Sequence, residues 1–319
     1  MRVRRTRIDD ADLGVFEFDY DLTFMVFFLD GHERILGRYG GRDETGPDAR
    51  QSIAGLQYAM KAALDTYRQA QANDNAPQST PTFVRGVAPV TAGRCVHCHQ
   101  VKEANHERLK RQGKWTRDLL WRYPLPENVG IVLDVDRGNV IREVHSDSAA
   151  ARVGLRAGDT LELLNGLAIH SFADAQFALD RAPKAGALKV QWRRESQLMS
   201  ANLQLLSGWR KTDLTWRTSM RWVIPSARVY GRDLTTVERR NHRLGPTQLA
   251  FWQGYPVSTP AKAAGVMEGD LILGFDGKRL ELEAYDFLGY VRRSYLVGDR
   301  VTINLIRDGK RLNLPMTLR

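Results

Sequence analysis

Cysteine is nearly missing from this chain: 319 residues hold 2, too few for a disulfide-built scaffold. Long apolar runs are missing too. Residues 22–29 fall far short of the roughly 18 apolar residues that a membrane helix needs, so no transmembrane helix is expected. The basic residues 1–7 are not followed by an apolar stretch, so the chain shows no secretory signal, and its true N-terminus is expected to lie further upstream. No helix-turn-helix, zinc-finger or aromatic RNA-binding signature accompanies the formal charge of +10, which leaves no specific nucleic-acid partner. Solvated basic faces, with peripheral contact to anionic membrane surfaces, account for that charge. No G-x-S-x-G context occurs, so proteolysis is not expected. A composition of 43% hydrophobic and 26% charged residues is that of an ordinary globular protein with two or three domains.

The two cysteines stand together in Arg94-Cys95-Val96-His97-Cys98-His99-Gln100, a C-x-x-C-H element. Two thiols at this spacing reach the two vinyl groups of a porphyrin, and the adjacent His99 would then ligate the iron, so c-type haem is one expectation. A dithiol redox pair of Cys95 and Cys98 is a second. Zinc held by Cys95, Cys98, His99 and His106 is a third, and an inert pair with no cofactor a fourth.

The segment before these thiols alternates strand and helix signals. Residues 3–8 read as a short strand, and the apolar run at 23–29 as a strand buried on both faces. Asp30-Gly31 makes a hairpin turn, and residues 34–39 return as its partner. Ile53, Leu56, Met60, Ala63, Leu64 and Tyr67 then recur at helical spacing, which predicts an amphipathic helix covering the sheet. Residues 69–93 turn Ala/Asn/Gln/Pro/Ser-rich and read as a linker.

The rest of the chain repeats itself. The string from Ser148 to Leu161, with Ala149-Ala150-Ala151, Val153-Gly154-Leu155 and Gly158-Asp159, matches that from Thr259 to Ile272, with Ala263-Ala264-Gly265-Val266 and Gly269-Asp270. Asn165-Gly166 matches Asp276-Gly277 at the same offset. A constant offset means a duplicated domain. Each copy ends a short helix at glycine, turns at Gly-Asp into a strand, and turns again at Asn-Gly or Asp-Gly. A second helix follows at 171–181 and at 284–295, and closing strands at 188–193 and 301–306.

This string resembles the core of bacterial PDZ domains. The resemblance implies two PDZ-like β-barrels that bind extended peptides, usually free C-termini, along an open sheet edge beside a helix. By that likeness, Val129, Gly130 and Ile131 form the carboxylate loop of the first copy and Phe177 borders its pocket, while Tyr230 and Gly231 lie in the loop of the second. The strand, hairpin and helix order of residues 1–70 resembles the C-terminal part of a thioredoxin-like fold, with Asp19, Tyr20 and Asp21 facing an absent catalytic half. Together with Phe16 to Thr23, Gly37 to Gly41, Tyr123 to Gly130 and Gly289 to Arg293, these features make the chain similar to the bacterial thioredoxin-like/PDZ domain-containing (seleno)protein family.

The reading is therefore an α+β chain in five parts: a partial thioredoxin-like domain at 1–70, a linker at 71–91, the CxxCH segment at 92–125, and PDZ-like domains at 126–208 and 209–319. The family resemblance implies an extracytoplasmic, redox-linked adaptor for protein clients, related to thiol-disulfide oxidoreductases but without their catalytic half. A non-catalytic peptide scaffold and a c-type haem electron carrier are the alternatives.

Overall fold

A computed structural model describes residues 12, 14–32, 34–70 and 97–319. The strand expected at 3–8, the linker and Cys95 lie outside the described residues. The chain forms two compact units that divide between Thr212 and Asp213.

The first unit opens with a hairpin of β1 (Met25–Leu29) and β2 (Ile35–Gly40), followed by helix α1 (Ile53–Ala70). The expected turn at Asp30-Gly31 is present: the Asp30 carboxylate accepts from the N–H groups of His32 and Arg34. The β1 residues are half-buried, with Leu29 exposed, because β1 is an edge of a two-stranded sheet and it is β2 that α1 and α4 pack against. Helix α1 packs inward through Gly55, Ala59 and Ala63, while Ile53, Met60, Leu64 and Tyr67 stay exposed, Ile53 by 74%. Small residues face the neighbour because the approach is close: a Cβ on Gly55 would stand 2.2 Å from the Val135 carbonyl oxygen. A two-stranded sheet with one helix gives no support to a thioredoxin-like half.

Helix α2 (Cys98–Arg111) carries the second cysteine. A 3-10 turn at Pro126–Val129 then leads into β3 (Ile131–Leu133), which pairs with β4 (Ile141–Val144). Next come α3 (Ala149–Arg152), β5 (Thr160–Leu164), β6 (Leu167–Ala168), α4 (Phe172–Asp180), β7 (Gly186–Arg194) and β8 (Gln197–Leu205). Their sheet runs β6-β5-β7-β8, with a core of Leu161, Leu164, Leu188, Val190, Trp192 and Leu203 under Ala175, Ala178 and Leu179 of α4.

The second unit contains β9 (Gly231–Asp233), α5 (Thr236–Asn241), β10 (Phe251–Gln253), α6 (Thr259–Ala263), β11 (Leu271–Phe275), α7 (Ala284–Ser294), β12 (Arg300–Arg307) and β13 (Lys310–Thr317). One sheet in the order β13-β12-β11-β10-β9 packs on Phe287 and Val291 of α7.

The repeat seen in the sequence recurs in the bonding. The buried Asp159 carboxylate accepts from the Arg156 N–H and pairs with Arg194 of the closing strand, which also donates to the Gly154 carbonyl. Asp270, Met267, Arg307 and Gly265 make the same three bonds. Asn165-Gly166, Asp276-Gly277 and Asp308-Gly309 hold both central residues at positive φ, the geometry of a type I′ hairpin turn. Closed barrels are not formed. In the first unit the β3/β4 pair meets the four-stranded sheet through the single bridge of Val140 to Thr160, and the second unit's sheet ends on β13 and β9.

Candidate functional site

In the first unit the expected carboxylate loop sits at the end of the 3-10 turn. Val129 and Ile131 are buried. Gly130 takes φ 90, where glycine is favoured, and a Cβ there would fall 2.1 Å from Ser148 Oγ. Its N–H donates to the Glu127 carbonyl at 2.9 Å and its carbonyl accepts from the His145 N–H.

Helix α4 beside this loop is enclosed on all sides, with Phe177 its one residue that is not fully buried. One face is the core. A second is taken by the chain's own segment Arg122-Tyr123. The Tyr123 N–H donates to Asp180 Oδ1 at 3.0 Å, the Tyr123 carbonyl accepts from Gln176 Nε2 at 3.2 Å, and the Arg122 guanidinium grips Asp180 with Nε at 2.6 Å from Oδ1. That fork holds the Arg122 charge firmly, well above its ordinary pKa despite burial.

The third face meets β2. The Arg38 N–H donates to Asp174 Oδ1 at 2.9 Å and the Arg38 carbonyl accepts from Ser171 Oγ. Phe177 is sandwiched between the guanidinium groups of Arg38 and Arg181, at 3.4 and 3.5 Å from its ring centre. Burial pushes the Asp174 carboxyl up to about 7, against the pull of Arg38. Phe177 thus borders the N-terminal hairpin.

The second unit differs. Strand β9 pairs with β10 on one side only and is an edge, with Gly231 and Arg232 exposed. Gly231 is required there, since a Cβ would stand 1.7 Å from the Trp252 carbonyl oxygen. Tyr230 is exposed; its N–H donates to Gln253 Oε1 and its hydroxyl to the Pro256 carbonyl. The N-terminus of α7 lies against the strand's far end, where the Ala284 N–H donates to the Asp233 carboxylate at 3.0 Å. On α7, Tyr285 is 88% exposed and Leu288 42%. An unpaired strand edge beside a helix with apolar side chains on its surface is a place where an extended peptide can add.

Cys98 is the first residue of α2 and a free, half-buried thiol whose pKa burial pushes up. His99 Nδ1 lies 3.0 Å from Glu103 Oε1. His106 is buried two turns on, about 10 Å along the axis, where its Nδ1 accepts from Trp115 Nε1 at 3.0 Å. These positions do not bring His99 and His106 onto one ion, and no group of three metal-ligating side chains converges among the described residues. Burial, reinforced by Lys102 and Lys110, lowers the His106 pKa to about 4. Asp19 and Asp21 anchor the helix, accepting from the buried Lys102 Nζ at 3.2 and 2.9 Å. Tyr20, Lys102, His106, Arg108 and Tyr123 line a cavity of about 280 Å³ along it.

Sequence reasoning did not single out Arg122, Gln176 and Asp180 in the first repeat, or Tyr285, Leu288 and Arg292 in the second. Aligning the second helix of each repeat by its apolar residues would have found those on the helices; Arg122 lies outside them and gives no such signal.

A PDZ domain family model matches residues 140–194. The chain is 27% identical over 142 residues to the periplasmic serine endoprotease DegP of Escherichia coli (strain K12), covering 44% of this chain and 27% of that protein. To the periplasmic pH-dependent serine endoprotease DegQ of the same strain it is 25% identical over 148 residues, covering 46% and 30%. It thus spans under a third of the length of these relatives. A solved structure of the HtrA-type protease AlgW with a decapeptide shares 16% identity, with a TM-score of 0.26 over 42% of this chain and 50% of that one.

Proposed function

We propose that this chain is a redox-linked adaptor: PDZ repeats hold extended segments of client proteins while Cys95 and Cys98 exchange electrons beside them. The PDZ fold is a peptide-binding fold. The observation that carries the reading is that Cys98 opens α2 within the same compact unit as the PDZ match at 140–194. At the start of a helix a thiolate is favoured by unpaired N–H groups, while burial works the other way. The relatives DegP and DegQ are periplasmic, which is consistent with an extracytoplasmic location. Disulfides and attached haem persist in such a compartment.

One observation favours a second reading, a c-type haem electron carrier. With Nδ1 held by Glu103, His99 has Nε2 free to face a metal, the orientation that ligating histidines adopt. Cys95 and Cys98 would hold the macrocycle and His99 its iron, and the group would supply one-electron chemistry. Zinc finds no comparable support.

Protein produced in a host that matures c-type cytochromes separates these readings. A pyridine-haemochrome band assigns the haem carrier. Without it, a Cys95/Cys98 reduction potential above about −300 mV supports the redox adaptor, and one well below that value assigns a structural disulfide in a non-catalytic scaffold.

A further inference from the structure

The duplicated domain presents one helix in two states. Aligned by which residues join the core, Ala175, Ala178 and Leu179 of α4 correspond to Phe287, Tyr290 and Val291 of α7. The next row around the helix is then Ala173, Gln176 and Asp180 in the first repeat, and Tyr285, Leu288 and Arg292 in the second.

In the first repeat this row is buried and engaged. Gln176 takes up the carbonyl of Tyr123, and Asp180 takes up its N–H together with the guanidinium of Arg122. Both main-chain polar groups of Tyr123 are thus satisfied by side chains of the helix that would otherwise flank a ligand. Vacating the row would take from the buried Asp180 carboxylate its fork, leaving it only Arg210 Nη1 at 3.8 Å. In the second repeat all three side chains of the row are exposed, and among the described residues Arg292 has no hydrogen-bond or ion-pair partner. The position that binds a cation in the first repeat is itself a cation in the second.

We propose that the two repeats have divided their work: the first is filled permanently by the chain's own Arg122-Tyr123, and the second takes extended client segments bearing an Asp or Glu where the internal ligand carries Arg122. Arg292 sets that acidic preference, while Tyr285 and Leu288 supply apolar contact beside the edge of β9. This inference rests on the peptide-binding reading above, and it deepens that reading by naming the domain and the ligand charge.

The test pans a random decapeptide phage library on the full-length protein, with selected peptides remade with a fluorescent label for anisotropy. Selected peptides are expected to carry Asp or Glu. Arg292→Glu should weaken them by about tenfold and turn the selection toward Lys and Arg. The double variant Tyr285→Ala/Leu288→Asp should enrich nothing, since the first repeat is closed; all three positions lie on the surface, so the fold is kept. Enrichment by the double variant would show an open first repeat and overturn the proposal. Acidic peptides that bind Arg292→Glu as well as the parent would also overturn it, with peptide binding itself left standing. Failure of the parent protein to enrich any peptide would overturn the peptide-binding reading and this inference with it.

Discussion

His106 shows at the scale of one residue how a functional type can be spent on structure. In the sequence it is the fourth donor of a candidate zinc set with Cys95, Cys98 and His99; in the fold it is a buried acceptor for the Trp115 indole. Its protonation follows from that position. The folded state holds it at about 4 against an ordinary value of 6.5, so between those values the unfolded chain binds the extra proton. Stability contributed by neutral His106 is thus complete above pH 6.5 and is lost as pH falls toward 4, by up to about 3 kcal/mol. Denaturant titrations of the parent and His106→Gln proteins at pH 7 and pH 4.5 should show the loss in the parent and a smaller one in the variant. An equal loss in both would place the acid sensitivity elsewhere.

Strand β9 is the element whose integrity is most easily tested. Its backbone passes so close to Trp252 that only glycine fits at position 231. Gly231→Ala should detach β9 from β10, cost about 1–3 kcal/mol as overpacking does, and abolish peptide binding while the hairpin of β12 and β13 persists. Circular dichroism and anisotropy on one sample read both effects. Elements were legible where the pattern is local: the Asp30-Gly31 hairpin, the Asn-Gly and Asp-Gly turns and the Gly-Asp loops sit where the sequence puts them. The buried face of α1 was not. Apolar spacing pointed to Ile53, Leu56, Met60, Ala63, Leu64 and Tyr67, of which Ala63 alone is buried; Gly55 and Ala59 complete the contact, and at Gly55 the Val135 carbonyl leaves no room for a larger side chain. The site was half legible for a related reason. Loop glycines advertise themselves, but the engagement of α4 by Arg122-Tyr123 is a tertiary contact with no local signature.

Across the whole molecule, two compact units with separate cores should melt separately. Calorimetry is expected to resolve two transitions. Asp180→Ala, which strands the Arg122 fork and frees the N–H of Tyr123, should lower the first unit's transition only. A single transition displaced as one would show that the units unfold together. Duplication explains why the repeat was the firmest sequence reading: its Asp159 and Asp270 anchors obey the same bonding rules twice. It also explains why the repeat misleads about closure, since matching strings do not dictate how sheet edges meet.

The enclosure of α4 restricts what this chain can become. A helix bounded by core, Arg122-Tyr123 and hairpin has no free flank toward which an added methyl group could turn, and its Ala173, Ala175 and Ala178 leave no slack between layers. Sequence drift on this helix is thereby confined to changes that all three neighbours accommodate together. Its counterpart α7, open along one flank, is free to vary there and so to acquire new ligands.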